Sequence, residues 1–155
     1  MASLGFAIEC PNCGRSAFEE NFYKTDETYI VCYRCGYNYR RIMKGEFDGY
    51  IEHEEMEFKG FGVILLTKKN QLRELTMIND PMMEEEIDAY KARFADEDVD
   101  FENSYFVTFI DGEFSVLLGT PSENFHLSFK DYKEKMLMKY EGHYEDMDFF
   151  VPIEE

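Results

Sequence analysis

The chain has 155 residues, 45% of them hydrophobic and 17% aromatic, with Phe and Tyr but no Trp; that is enough apolar surface for a packed core and excludes a disordered acidic chain. Its 33 Asp and Glu against 16 Lys and Arg give a formal charge of −17, a field that repels nucleic-acid phosphates and draws basic partners from a distance. No apolar run approaches the roughly 20 residues of a membrane span, and no basic start followed by a long apolar stretch marks an export signal, so the expected location is the cytoplasm.

In chain order, the first feature is a pair of cysteine hooks, "CPNCG" at Cys10 and Cys13 and "CYRCG" at Cys32 and Cys35, which between them use all four cysteines. A CxxC hook turns two sulfurs toward one point, and two hooks supply the four tetrahedral thiolates that Zn²⁺ prefers at about 2.3 Å. Gly14 and Gly36 each follow the second cysteine of a hook, where the backbone must turn sharply. Between the hooks, residues 17–23 and 28–31 read as strands around a polar tip of Thr25, Asp26 and Glu27, and residues 37–43 read as a third strand leaving the second hook.

Residues 6–44 thus resemble a zinc ribbon, on "CPNCG" and "CYRCGY". The resemblance implies one structural Zn²⁺ held by Cys10, Cys13, Cys32 and Cys35. Four sulfur ligands close the coordination sphere, so the metal replaces a core that about 40 residues are too few to build. Zinc ribbons of the transcription machinery contact nucleic acid or polymerase. Here Arg34, Arg40 and Arg41, with Lys44 and the tyrosines 33, 37 and 39, form the set that could grip a strand by phosphate contact and stacking. The same alternation also describes an exposed ribbon strand whose tyrosines cover a thin core. "TDETYIVCYRCG" is similar in order to the acidic hairpin of transcript-cleavage elongation factors, but Asp26-Glu27 lies closer to its cysteine, the hairpin is short, and no proline follows.

Residues 1–45 hold six basic and five acidic side chains, whereas residues 46–155 hold ten and 28. This shift divides the chain into a zinc ribbon, 1–45, and an acidic α+β domain, 46–155. Residues 45–60, with two glycine-containing turns and scattered acids, read as the linker between them. "FGVILLT" and "LRELTMI" around the turn "KKNQ" read as a hairpin. A helix should follow, with Asp80 as N-cap, Pro81 at its first position, Glu84, Glu85 and Glu86 near its positive end, and Met83, Ile87, Tyr90 and Phe94 as its apolar stripe. "SYFVTFIDGEFSVLLG" reads as a second hairpin turning at Asp111-Gly112. The last helix is capped by Ser128 with Asp131, buries Phe129, Tyr132, Met136 and Tyr140, and ends at Gly142. The expected fold class is α+β: a zinc ribbon, then a four-stranded antiparallel sheet in ββαββα order with its helices on one face.

Little in the second module announces chemistry. Asp96, Glu97, Asp98 and Asp100 lie in "DEDVDFE", where Phe101 and Val107 take the positions at which a calcium loop needs Gly and Glu, so a solvated loop is expected. Glu57 and Lys59 make a short ExK pair with Asp48 upstream, a pattern that arises by chance in a chain rich in acids. His53, His126 and His143 have no nucleophile or metal pattern beside them, and no glycine-rich phosphate loop occurs. The expected function is therefore non-enzymatic: an acidic domain that binds and inhibits a basic protein, a toxin or a nucleic-acid enzyme, through Glu84, Glu85, Glu86, Asp96, Glu97, Asp98 and Asp100. The layout of a ribbon followed by a "GFGV" strand also resembles small bacterial toxin-associated immunity proteins, and a phage inhibitor of host defence fits the same physics. The alternative is a transcription-associated ribbon protein binding nucleic acid through Arg34, Arg40 and Arg41.

Overall fold

The structure, a computed structural model, describes residues 2–47, 49–110 and 113–139. Its first half is an antiparallel meander of β1 (Leu4–Glu9), β2 (Ser16–Phe22), β3 (Glu27–Val31), β4 (Asn38–Phe47) and β5 (Tyr50–Phe58), each strand pairing with its chain neighbours. β2 and β3 begin and end within one residue of the expected hairpin strands, and Asp26 at their tip takes a positive φ of 53°, which Asp tolerates better than most side chains.

Residues 45–60, expected as a linker, form instead the tip and return strand of a long hairpin. β4 and β5 pair from Asn38↔Phe58 to Phe47↔Tyr50. The two glycines have local uses. A register shift between Met43 and Gly45 bulges β4, and Gly49 takes a φ of +79° at the turn, which costs a glycine little. The acids of β5 are tolerated because the strand is not sandwiched: Glu52, Glu55 and Glu57 are exposed and His53, Glu54 and Met56 half-buried. β4 also runs through position 45/46, where the composition changes.

The second sheet holds β6 (Gly62–Thr67), β7 (Arg73–Ile78), β8 (Tyr105–Ile110) and β9 (Glu113–Gly119) in the order β7-β6-β8-β9, all antiparallel. Both hairpins form where the sequence places them; Asp111-Gly112, Tyr140 and Gly142 lie outside the described residues. β6 is buried along its whole length, which explains its unbroken apolar run: a central strand covered on both faces cannot alternate. Ile64 and Leu66 join Ile78, Phe94, Val99 and Phe106 on one face, while Val63 and Leu65 join Tyr105, Val107 and Phe125 on the other.

Helix α1 (Glu84–Arg93) covers the first of these faces through Ile87 and Tyr90, with Phe94 just beyond its end. It starts later than expected. Met83, not Asp80, is the N-cap residue, because the Glu86 carboxylate takes the Met83 N–H at 2.8 Å, the bond an Asp80 cap would need. Met83 consequently stands before the first turn, 68% exposed, and leaves the stripe. Helix α2 (Phe129–Lys139) is capped as expected: Ser128 Oγ accepts the Asp131 N–H at 3.2 Å and donates to the Asp131 carboxylate at 2.8 Å. It does not share α1's face. Tyr132 and Met136 pack with Ala7 of β1 and with Leu127, against the first sheet. The expectation of both helices on one face fails because the first sheet, thin and half-buried, competes for α2's apolar side.

Tyr105 gives this core a pH signature. The ring is 9% exposed and meets Phe125 edge-on at 5.4 Å, and burial pushes its hydroxyl up to about 12 from an ordinary 10. The native state then keeps a proton that the unfolded chain releases, so stability is intact below pH 10 and falls as pH rises toward 12. Two pH units correspond to roughly 2–3 kcal/mol. Urea denaturation of the natural chain and of Tyr105→Phe should show their stability difference constant at neutral pH and shifting by that amount, against the natural chain, by pH 12. A difference that does not move with pH would refute the assignment.

Candidate metal centre

The two hooks fold by the same rule. Cys10 N–H donates to Arg15 O at 2.7 Å and Gly14 N–H to Cys10 O at 2.9 Å; in the second hook Cys32 N–H donates to Tyr37 O at 2.8 Å and Gly36 N–H to Cys32 O at 2.9 Å. Gly14 and Gly36 take φ of 71° and 77°, as the sequence reading expected. β1 and β2 carry the first hook, and β3 and β4 the second. The meander therefore brings the hooks face to face.

The four sulfurs all lie within 4.8 Å of one another, Cys10 Sγ 3.7 Å from Cys35 Sγ and Cys13 Sγ 3.8 Å from Cys32 Sγ. A tetrahedron with metal–sulfur bonds of about 2.3 Å has edges of about 3.8 Å, so the donor set fits a single tetrahedral ion. No other cluster of potential metal ligands occurs among the described residues. Thiols held this close do not titrate independently. Hydrogen bonds from Cys10, Cys32 and Cys35 pull Cys13 far below the usual thiol range, and burial pushes Cys32 well above it. Each pair of thiolates about 4 Å apart costs about 4 kcal/mol at an effective dielectric of 20; a divalent cation between them removes that cost. The surroundings supply donors as well: Asn12 Nδ2 lies 3.6 Å from Cys35 Sγ.

Arg34 lies inside this centre, not on a nucleic-acid surface. It is 2% exposed, its Nη1 is 3.5 Å from Ser16 O, and its guanidinium stands 5.0 Å from the centre of the Tyr132 ring on α2. Burial works against its charge, and the Cys32 sulfur works for it. A tetrathiolate around a divalent ion carries two negative charges, so a cation beside it is well placed. Nothing in "CYRCG" distinguishes such an inward arginine from an outward one. Arg41 is also engaged, donating to Asp26 Oδ1 at 3.0 Å, and His53 Nε2 lies 3.5 Å from the other oxygen of that carboxylate. Of the three arginines only Arg40 remains exposed, and the acidic tip is partly neutralised by its own sheet.

The centre is also the joint between the two sheets. Phe129 N–H of α2 donates to Gly14 O at 3.2 Å, Arg15 lies 3.9 Å over the Phe114 ring of β9, and Phe109 of β8 is buried in the cysteine cluster. On the second hook, Tyr37 donates to Glu57 Oε1 at 3.0 Å. These contacts join segments distant in sequence and carry no local pattern that could have announced them.

The acidic residues do not converge. Glu84, Glu85 and Glu86 form the exposed first turn of α1, where Glu86 is held by the Met83 N–H. Asp96 accepts Lys68 Nζ at 3.1 Å and the Asp98 N–H at 2.9 Å, and Asp100 caps a 3-10 turn (Phe101–Asn103) by accepting the Asn103 N–H. These two carboxylates build the loop expected for "DEDVDFE". Glu97 and Asp98 are exposed.

No family model matches the chain, and neither a curated protein nor a solved structure is significantly similar to it. No helix among the described residues is long and apolar enough to cross a membrane.

Proposed function

We propose that the chain is a non-enzymatic interaction protein, stapled by one structural Zn²⁺ on Cys10, Cys13, Cys32 and Cys35, whose acidic surface binds and inhibits a basic protein such as a toxin or a nucleic-acid enzyme. The observation that carries the reading is the division of charge: exposed carboxylates crowd the α1 turn and the 96–98 loop, while Arg34 is buried in the metal centre. A surface of this sign speeds encounter with a cationic partner and discriminates against polyanions. The resemblance of the layout to immunity-type proteins points the same way. The burial of Arg34 and the Asp26 bond of Arg41 weaken the nucleic-acid alternative.

The test is capture of partners from native-host lysate, with and without nuclease, followed by association kinetics. A basic protein should be recovered after nuclease treatment. Reversing Glu84, Glu85, Glu97 and Asp98 to Lys should slow its association about tenfold or more at low salt, and Arg40→Glu should leave it unchanged. Recovery that vanishes with nuclease, or that depends on Arg40 and not on the acids, would transfer the function to the ribbon.

A further inference from the structure

We infer that the outer edge of β5 is a docking site for an extended, lysine- or arginine-rich strand of the partner. This rests on the reading of an acidic protein that binds a basic one, and it names a surface that residues 84–100 do not include.

β5 is the last strand of its sheet, with β4 on one side only. Among the described residues, every second N–H and C=O along its outer side therefore lacks a strand to pair with, an arrangement that proteins usually block with a short strand, a proline, a lysine or a bulge. β5 uses none of these. It has nine residues, Tyr50–Phe58, against six in β1, six in β7 and seven in β9, and it contains neither Pro nor Lys. The register is regular from His53 to Phe58; the bulge, at Met43/Gly45 on β4, falls opposite the Glu52–His53 step. None of the four hydrophobic clusters among the described residues includes a β5 side chain. β1, the other outer strand, packs its Ala7 against α2.

What protects this edge is charge, and charge is selective. Glu52, Glu54, Glu55 and Glu57 occupy four of the seven positions from Glu52 to Phe58. A second copy pairing edge to edge would set carboxylate against carboxylate, which is destabilising. A strand with Lys or Arg at alternate positions meets the opposite situation. Side chains of a strand alternate between its faces, so Glu55 and Glu57 lie on one face of β5 and Glu52, Glu54, Met56 and Phe58 on the other. Cations at alternate positions of the incoming strand take Glu55 outright and share Glu57 with the Tyr37 hydroxyl, while Glu54 stays with Lys44 at 3.2 Å. Half-buried Met56 and Phe58 offer an apolar end to the same edge. Main-chain pairing then supplies affinity and the carboxylates supply choice of partner.

The probe is a synthetic peptide of alternating Lys with Thr or Val, matched in length to β5, and the same peptide N-methylated at alternate backbone amides, which keeps the charge and removes strand pairing. With the full chain at low salt, the unmodified peptide should shift and protect alternate backbone amides from Glu52 to Phe58 by NMR and hydrogen exchange. N-methylation should weaken binding about tenfold or more, as expected for losing several backbone hydrogen bonds, and Glu55→Lys should weaken it similarly with little change in thermal melting. Equal binding of the two peptides, or amide changes confined to the Glu84 to Glu86 turn, overturns the strand-edge site while leaving an acidic interaction surface standing. Failure of both peptides to bind also overturns it; the charge-reversal kinetics on Glu84, Glu85, Glu97 and Asp98 decide the wider reading independently.

Discussion

Cys32→Ser should give a chain that no longer retains a metal ion and whose first sheet exchanges its amide hydrogens almost without protection. Cys32 is completely buried, its sulfur 3.8 Å from that of Cys13 and 3.8 Å from Ser16 O, so serine leaves both an incomplete donor set and a buried hydroxyl. Structural zinc contributes on the order of 10 kcal/mol to small domains, comparable with the whole stability of about 5–15 kcal/mol for a typical protein. β1 to β4 have no replacement: apart from the cysteines, the buried apolar residues described there are Ala17 and Tyr37, with Phe109 donated by the second sheet. Helix α2 should loosen with them, since its anchors are Gly14 O, Ala7 and the Arg34 guanidinium. Ile64, Leu66 and Phe106 under α1 do not touch the hooks and should keep their protection. The measurement is metal content by mass spectrometry together with hydrogen exchange, repeated on the natural chain with a chelator. Unchanged protection after metal removal would reduce the cysteines to ordinary core residues. Simultaneous loss of protection everywhere would make the two sheets one cooperative unit.

The four-cysteine cluster was legible because its information is local. A CxxC spacing followed by glycine specifies a turn and two donors within five residues, and two copies complete the set. The α+β class and the strands of both hairpins on either side of α1 were legible for the same reason, through apolar runs and turn residues. β5 was not legible: "YIEHEEMEF" has four glutamates and no sustained apolar run or alternation, and a half-exposed strand held by its neighbour's backbone needs little more than a turn to return it. Arg34 misled in the opposite sense. Its residue type and its aromatic neighbours describe a surface, and only the arrival of α2, far along the chain, converts it into a buried cation. The start of α1 turned on a competition between Asp80 and Glu86 for one N–H, which composition cannot decide. Glu84, Glu85, Glu86, Asp96, Glu97 and Asp98 are exposed and Asp100 half-buried, and their number concealed that Glu86, Asp96 and Asp100 serve the backbone around them.

Gly60→Ala should be a strongly destabilising single-methyl addition. A Cβ at Gly60 would collide with Cys35 O and with the Gly36 carbonyl carbon, at separations that real side chains do not reach. Neither obstacle can swing away. Gly36 is fixed by its N–H to Cys32 O and by a φ of +77°, and Cys35 is fixed by its place in the donor set. On the other side, the chain enters β6 directly, where Gly62 is itself packed against Val107 O. Overpacking costs about 1–3 kcal/mol when side chains can yield; with backbone on both sides the upper end applies. For a chain of this length each kcal/mol lowers the melting temperature by about 2–4 °C, so a fall of about 6–12 °C is expected. Gly45→Ala is the matched control, because a Cβ there meets nothing within 4 Å, and its melting temperature should stay within about 2 °C of the natural chain. The strain is shared between β6 and the second hook, so Gly60→Ala should also release its metal to a chelator faster than Gly45→Ala does. A Gly60→Ala chain that melts normally would mean that the second hook does not rest on the start of β6. One that melts early yet keeps its metal as tightly would place the strain wholly in the second sheet and free the metal centre from its role as the joint.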